Sequence, residues 1–218
     1  MDRKNIILGW LKIIFGLLVF SLGVHLTIRA NLGLAPWDCL GMGVAHQTPL
    51  NYGLAMTSMS VLILILDLLM KEKIGFGTII DALLTGNFVQ LFHDIDPFPE
   101  TKSLIPGILI ILAGLALMAI GQYFYMTAAQ GCGPRDALLV GLGKRLRWLP
   151  IGAVQVLLWG IVLLLGWLLG GQVGVGTIVS TFGSGIVMQI IYHFIHFEPR
   201  QVEHRGLLET VRVLRGAE

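Results

Sequence analysis

Long apolar runs separated by short polar or glycine-rich stretches dominate this chain. A membrane-spanning helix needs roughly 20 mostly apolar residues. Six runs fit that length, at about 6–28, 52–70, 76–93, 104–126, 150–170 and 175–196. The third is the least apolar, because it carries Asp81, Thr85, Asn87 and Gln90. The pattern predicts an all-α polytopic membrane protein with six transmembrane helices.

The composition agrees with a membrane protein and excludes an ordinary water-soluble domain. Hydrophobic residues make up 55% of the chain and charged residues 13%, and the mean hydropathy is +0.80. Soluble domains carry about 25% charged residues. The net charge is only +2, and the basic residues are not gathered on one tail. We therefore expect the lipid bilayer as a partner and no nucleic acid.

The basic residues predict the orientation in the membrane. With the N-terminus in the cytoplasm, the outer segments contain only Arg29 and Lys102. Lys12 lies within the first span, and the other Lys and Arg residues fall in cytoplasmic segments. This follows the positive-inside rule. We predict a multi-pass protein with both termini in the cytoplasm and a cytoplasmic tail at 198–218.

The two halves of the chain repeat each other. A shift of 98 residues superposes glycine, proline and aspartate positions, and a shift of 99 does so further along. The pairs are Gly9–Gly107, Gly16–Gly114, Gly23–Gly121, Gly33–Gly131, Pro36–Pro134, Asp38–Asp136, Gly53–Gly152, Gly75–Gly174, Gly77–Gly176, Thr78–Thr177 and Gly86–Gly185. Residues 1–97 and 98–197 thus form two three-span repeats. Because three is odd, the second repeat is inverted relative to the first.

The evenly spaced glycines of the first and fourth spans predict a packing seam. Gly16 and Gly114 each lie at the centre of a trio with a seven-residue spacing, which is nearly two helical turns. A stripe of glycines lets another helix backbone approach closely.

Each repeat also carries a segment too short to cross the membrane, at 36–46 and at 134–144. Pro36 and Pro134 suit the first position of a helix, and Gly33 and Gly131 lie in the loops before them. We interpret the segments as half-helices that enter the membrane from opposite faces, as in many transporters. The sequence also permits helices lying on the membrane surface, with Trp37 among the lipid headgroups.

Several polar residues are candidates for binding a solute: Asp38, Trp37, Asp136, Thr78, Asp81 and Thr177. Acidic residues within a membrane span are functional candidates by default. Two alternatives stay open: Asp38 and Asp136 could cap their helices, and Asp81 could reach cytoplasmic water. Because carboxylates offset the positive helix starts, the set favours a cation, an amine or a zwitterion, with Trp37 as an aromatic contact.

Signatures of common enzymes and nucleotide-binding proteins are missing from the sequence. It has no phosphate-binding GxxxxGK[ST], no HExxH and no GxSxG. We expect neither an enzyme nor ATP hydrolysis, and no cofactor or bound metal.

The stretch LGLAPWDCL resembles the YitT/YczE-like family of bacterial integral membrane proteins. The matching residues are Ala30, Leu32, Gly33, Pro36, Trp37 and Asp38, followed by Gly75, Gly77 and Thr78. The segment after Asp38 departs from the family pattern at Cys39, where a small aliphatic residue is usual. The resemblance implies a bacterial cytoplasmic membrane and brings no established substrate.

Together these observations favour a transporter or channel-like permease for a small solute, with a site at the membrane midplane between the repeats. The alternative is a membrane scaffold or regulator of a partner protein. The sequence leaves the solute and the oligomeric state open and allows a homo-oligomer.

Overall fold

The computed structural model describes residues 3–95, 100, 101, 103–198, 202, 206, 207 and 210. Most of the predicted tail at 198–218 lies outside these residues. Within them the chain forms eight α-helices, and one begins and ends within a few residues of each predicted span and half-helix. They are α1 (Arg3–Arg29), α2 (Pro36–Gln47), α3 (Tyr52–Leu69), α4 (Phe76–Ile95), α5 (Leu104–Thr127), α6 (Pro134–Arg145), α7 (Ile151–Leu168) and α8 (Val175–Phe194).

Long apolar helices make this a polytopic helical membrane protein. Among the described residues five helices are long and apolar enough to cross a membrane, namely α1 from Leu8 onward, α3, α5, α7 and α8. The stretch predicted as the third span forms the 20-residue helix α4. It does not meet the same apolar criterion, because polar residues interrupt it.

Helices α1 and α5 form the most extensive helix contact of the bundle. A Cβ built on Gly16 would lie 2.6 Å from the carbonyl oxygen of Gly121, and one on Gly23 would lie 2.5 Å from that of Gly114. Residue numbers rise along one helix as they fall along the other, so the two helices are antiparallel. Their backbones meet at glycine, which is the close approach predicted for the Gly16 and Gly114 seam.

The loops before the two half-helices cross to the opposite half of the chain. Gly33 has φ +107° and packs on Gly174, while Gly131 has φ +116° and packs on Gly75. Both loops need a residue without a side chain, because a Cβ is disfavoured at these angles and would collide with backbone. In the first loop the Leu32 carbonyl accepts a hydrogen bond of 2.7 Å from the Gly176 amide. In the second loop the Gln130 carbonyl accepts one of 2.7 Å from the Gly77 amide.

Both half-helices are held among other helices. In α2 the buried residues include Pro36 and Cys39, and in α6 they include Pro134 and Leu138. Helix α2 packs along α7, and α6 packs beside α3. At its far end α6 forms an ion pair between Lys144 and Glu72, just beyond the end of α3.

The hairpins α3–α4 and α7–α8 differ in packing. Gly53 and Gly86 bring α3 and α4 together, since a Cβ on Gly86 would lie 2.7 Å from the Gly53 carbonyl oxygen. The counterparts in the second half are Gly152 and Gly185, and a Cβ on either would meet nothing within 4 Å. Helices α7 and α8 also lack the extensive packing that joins α3 to α4. They therefore diverge from their connecting loop and leave a gap.

Candidate functional site

A cavity of about 450 Å³ lies where the two half-helices begin. Leu17, Phe20, Leu115 and Met118 from α1 and α5 contribute to an apolar wall. The polar lining comes mainly from α2, α4, α5, α6 and α8. It includes Asp38, Asp81, Thr85, Gln122, Tyr125, Arg135, Asp136, Ser180, Thr181 and Ser184.

The first turns of α2 and α6 meet in the cavity wall. The guanidinium carbon of Arg135 lies over the Trp37 ring, 5.2 Å from its centroid. A guanidinium at this distance from an indole face forms a favourable cation–π contact. Trp37 and Arg135 are also 98 residues apart, so they occupy the same position in the two halves. The contact therefore joins equivalent positions of the two sequence repeats.

Asp38 is a buried carboxylate with a specific partner. Its side chain is 4% exposed, and its Oδ1 accepts a hydrogen bond of 3.0 Å from the Tyr52 hydroxyl. The N-cap positions of the two half-helices are Ala35 and Gly133. No hydrogen bond joins the Asp38 or Asp136 carboxylate to a helix N–H among the described residues. The capping interpretation of these aspartates therefore has no hydrogen-bond support.

The carboxylates of Asp81 and Asp136 both lie beside Gly133. A Cβ on Gly133 would be 2.8 Å from Asp81 Oδ2 and 3.6 Å from Asp136 Oδ2. Asp81 accepts a hydrogen bond from the Thr85 hydroxyl one turn later on α4. The Asp136 side chain is open to the cavity. These two carboxylates thus form an acidic face that a ligand in the cavity can reach.

Acidic side chains outnumber basic ones among the described residues that line the cavity. Asp38, Asp81 and Asp136 line it together with one cationic side chain, Arg135. The Arg135 guanidinium interacts electrostatically with all three carboxylates and also lies on Trp37. One guanidinium cannot balance the charge of three carboxylates when all of them are ionised.

The chain has relatives among known proteins. The profile of a family of unknown function, DUF6198, matches residues 7–193. The chain belongs to this family. It is 32% identical to an uncharacterized protein of Haemophilus influenzae over 84% of this chain and 83% of the relative.

Two relatives from Bacillus subtilis support the same assignment. The chain is 26% identical to the uncharacterized membrane protein YczE, over 86% of each chain. It is 27% identical to the uncharacterized protein YyaS, over 84% of this chain and 92% of the relative. The resemblance to the YitT/YczE-like family is therefore confirmed. No solved structure matches the chain significantly.

Two of the predicted site residues lie outside the cavity lining. Thr78 and Thr177 are not among the described residues that line the cavity. Their hydroxyls accept hydrogen bonds from the backbone N–H groups of Gly75 and Gly174, at 3.2 and 3.1 Å. The crossing loops at Gly131 and Gly33 cover them. These threonines stabilise the starts of α4 and α8, so the cavity lining does not include them with the aspartates.

Three hydroxyl groups in the cavity wall were not predicted as site residues. Tyr125 and Ser180 are 6% and 3% exposed, and with Thr181 they have no hydrogen-bond partner among the described residues. Buried hydroxyls are normally paired, so these are available to a ligand or water. The repeat could have identified Ser180, which lies 99 residues after Asp81. No comparable signal identifies Tyr125.

Proposed function

We propose that this protein is a transporter or channel-like permease for a small cationic solute, without ATP hydrolysis or other catalysis. Its site is the cavity between two inverted three-span repeats. The observation that carries this proposal is the meeting of both half-helix starts with three carboxylates around one cavity.

The paired contacts support an inverted repeat. The glycine contacts of α1 with α5 occur in reciprocal pairs, and those of the crossing loops involve equivalent positions of the two halves. Since α1 and α5 are antiparallel, an axis that exchanges them turns one half upside down. Transporters built this way place their substrate at the repeat interface, near the membrane midplane.

The position of α4 supports a sixth span. It packs against both α1 and α3, which are themselves long and apolar. Its Asp81 and Thr85 line the cavity, so these polar groups avoid lipid. An ionisable residue in a membrane span commonly faces such an internal cavity.

The connections support half-helices that re-enter the membrane. After α5 the chain first contacts Gly75 through Gly131 and then contacts Asp81 through Gly133. From there α6 returns to Glu72, beside the end of α3. Gly133 therefore lies further along α4 from its start than Gly131 or the far end of α6 does. A helix lying on the membrane surface would stay at the same depth over its whole length.

The donor set favours an organic cation over a bare metal ion. No group of three or more His, Cys, Asp or Glu side chains is close enough to hold a metal ion within the described part of the chain. The carboxylates instead share the cavity with Trp37 and apolar side chains. An ammonium group fits the acidic face, and its carbon skeleton fits the remaining wall.

The test compares the variant Asp136→Asn with Asp94→Asn in the purified full-length protein. A panel of organic ammonium ions is titrated while tryptophan fluorescence is recorded, since Trp37 and Trp159 line the cavity. The Asp136 change removes a charge from the acidic face. Affinity should fall roughly 10- to 100-fold, as expected for losing one charge-assisted hydrogen bond.

The control residue Asp94 is exposed and bonds to Gln90 outside the cavity. Binding by Asp94→Asn should match the unmodified protein. Equal affinity in both variants would remove the cavity from consideration as the cation site. If the unmodified protein binds and transports no ammonium ion, a scaffold or regulatory role becomes the better explanation.

A further inference from the structure

The two halves differ most where α7 and α8 separate. Gly53 and Gly86 close the α3–α4 hairpin by backbone contact. Gly152 and Gly185 occupy the same positions of the second hairpin, and nothing approaches them. A glycine pair has little use beside open space, but it is needed where two helix backbones come into contact.

This gap opens into the cavity. Gln155 and Trp159 of α7 line the cavity on one side of the gap, and Ser184 and Gly185 of α8 line it on the other. Phe182 also lines the cavity and yet is 71% exposed. The cavity is therefore reached from the side of the bundle, between two helices that are both apolar enough to span a membrane.

The outer surface at this entrance is apolar. Val156 on α7 is 70% exposed, and Ile186 on α8 is 60% exposed. In a membrane protein such a surface faces lipid tails. A solute that uses this route must tolerate an apolar medium and then place a positive charge against Asp81 and Asp136.

We propose that the gap between α7 and α8 admits amphiphilic organic cations from the bilayer into the carboxylate site. During transport the gap closes by bringing Gly152 onto Gly185, in the way that Gly53 packs on Gly86. In the predicted topology this entrance lies in the cytoplasmic half of the membrane. The equivalent gap in the outer half, between α3 and α4, is closed by the contact of Gly53 with Gly86. The inference rests on the proposed transport function and specifies its solute and route.

The solute class is tested with three probes on the purified protein. Benzyltrimethylammonium carries a permanent charge and one ring, tetramethylammonium lacks the ring, and benzyl alcohol lacks the charge. Benzyltrimethylammonium should bind roughly tenfold or more tightly than either, because a buried phenyl ring adds apolar contact and the charge adds attraction. Equal binding of tetramethylammonium would overturn the amphiphile assignment.

The closing movement is tested with Gly152→Leu against Gly160→Leu, a second α7 glycine that has nothing within 4 Å of its Cβ. Gly152 does not line the cavity, so benzyltrimethylammonium should bind both variants equally. Uptake into proteoliposomes should fall roughly 10- to 100-fold for Gly152→Leu only. The leucine overpacks the closed helix contact and so lowers the population of the closed state by about that factor.

Each outcome has a separate meaning. Normal uptake by Gly152→Leu would overturn the gate. A change in oligomeric size for Gly152→Leu would also overturn it, because the gap would then be a subunit interface. If the unmodified protein takes up tetramethylammonium but not benzyltrimethylammonium, the transport proposal stands and the lateral route fails. If it takes up no cation, the transport proposal itself fails.

Discussion

Replacing Gly16 with alanine adds one methyl group at the crossing of α1 and α5. The new Cβ would lie 2.6 Å from the Gly121 carbonyl oxygen and 2.7 Å from the Tyr125 amide nitrogen. Ordinary van der Waals contacts of a Cβ begin at 3.4 Å. Both neighbours are backbone atoms and cannot rotate away, so the helices must separate by nearly 1 Å.

The energetic cost is isolated by a matched variant. Gly160→Ala places a Cβ with nothing within 4 Å in a helix of similar apolar character. The gain in helix propensity, about 1 kcal/mol, is similar in the two variants and cancels. What remains is overpacking, typically about 1–3 kcal/mol. At roughly 2–4 °C per kcal/mol for a chain of this size, Gly16→Ala should melt roughly 2–12 °C below Gly160→Ala.

The measurement is thermal unfolding of both purified proteins in the same detergent. Gly114→Ala serves as a second case, because its Cβ would lie 2.7 Å from the Gly23 carbonyl oxygen. Leu17 is unsuitable as a control, since it is 3% exposed and its truncation is itself costly. Equal melting temperatures for Gly16→Ala and Gly160→Ala would refute the close backbone crossing.

Two further predictions concern topology and the crossing loops. Single cysteines at Gln47 and Arg147, in a background without Cys39 and Cys132, should react differently with an impermeant thiol reagent in intact cells. Gln47 should be labelled and Arg147 protected, and equal labelling of both would contradict the inverted topology. Thr177→Val should lower the free energy of unfolding by about 1–3 kcal/mol, because the Gly174 amide loses its side-chain acceptor. Solute affinity should not change in that variant, and a specific loss of binding would return this threonine to the site.

The helices were predictable because their boundaries are local. Apolar runs end at glycine and proline clusters, and Pro36 and Pro134 mark the half-helix starts as observed. The seven-residue glycine spacing also predicted a close helix contact on α1 and on α5, although not that these two helices pack on each other. These signals depend on residues near one another in sequence or related by a fixed shift.

The cavity depends on contacts between distant segments. Thr78, Asp81 and Thr85 share one face of α4, yet only Asp81 and Thr85 line the cavity. The loop at Gly131 covers the first turn of that face, and helical periodicity contains no information about such a crossing. The separation of α7 from α8 was equally unpredictable, since the repeat assigns both hairpins the same glycine pair.

The crossing loops also bear on how the protein is made. The first half supplies the Leu32 carbonyl that accepts the Gly176 amide of the second, and the second supplies the Gln130 carbonyl for the Gly77 amide of the first. While only the first half has been synthesised, the start of α4 lacks the loop at Gln130 that later covers it. The two halves must therefore assemble with each other before either reaches its final packing. Fragments 1–97 and 98–218 expressed alone would each carry a helix start that lacks its covering loop.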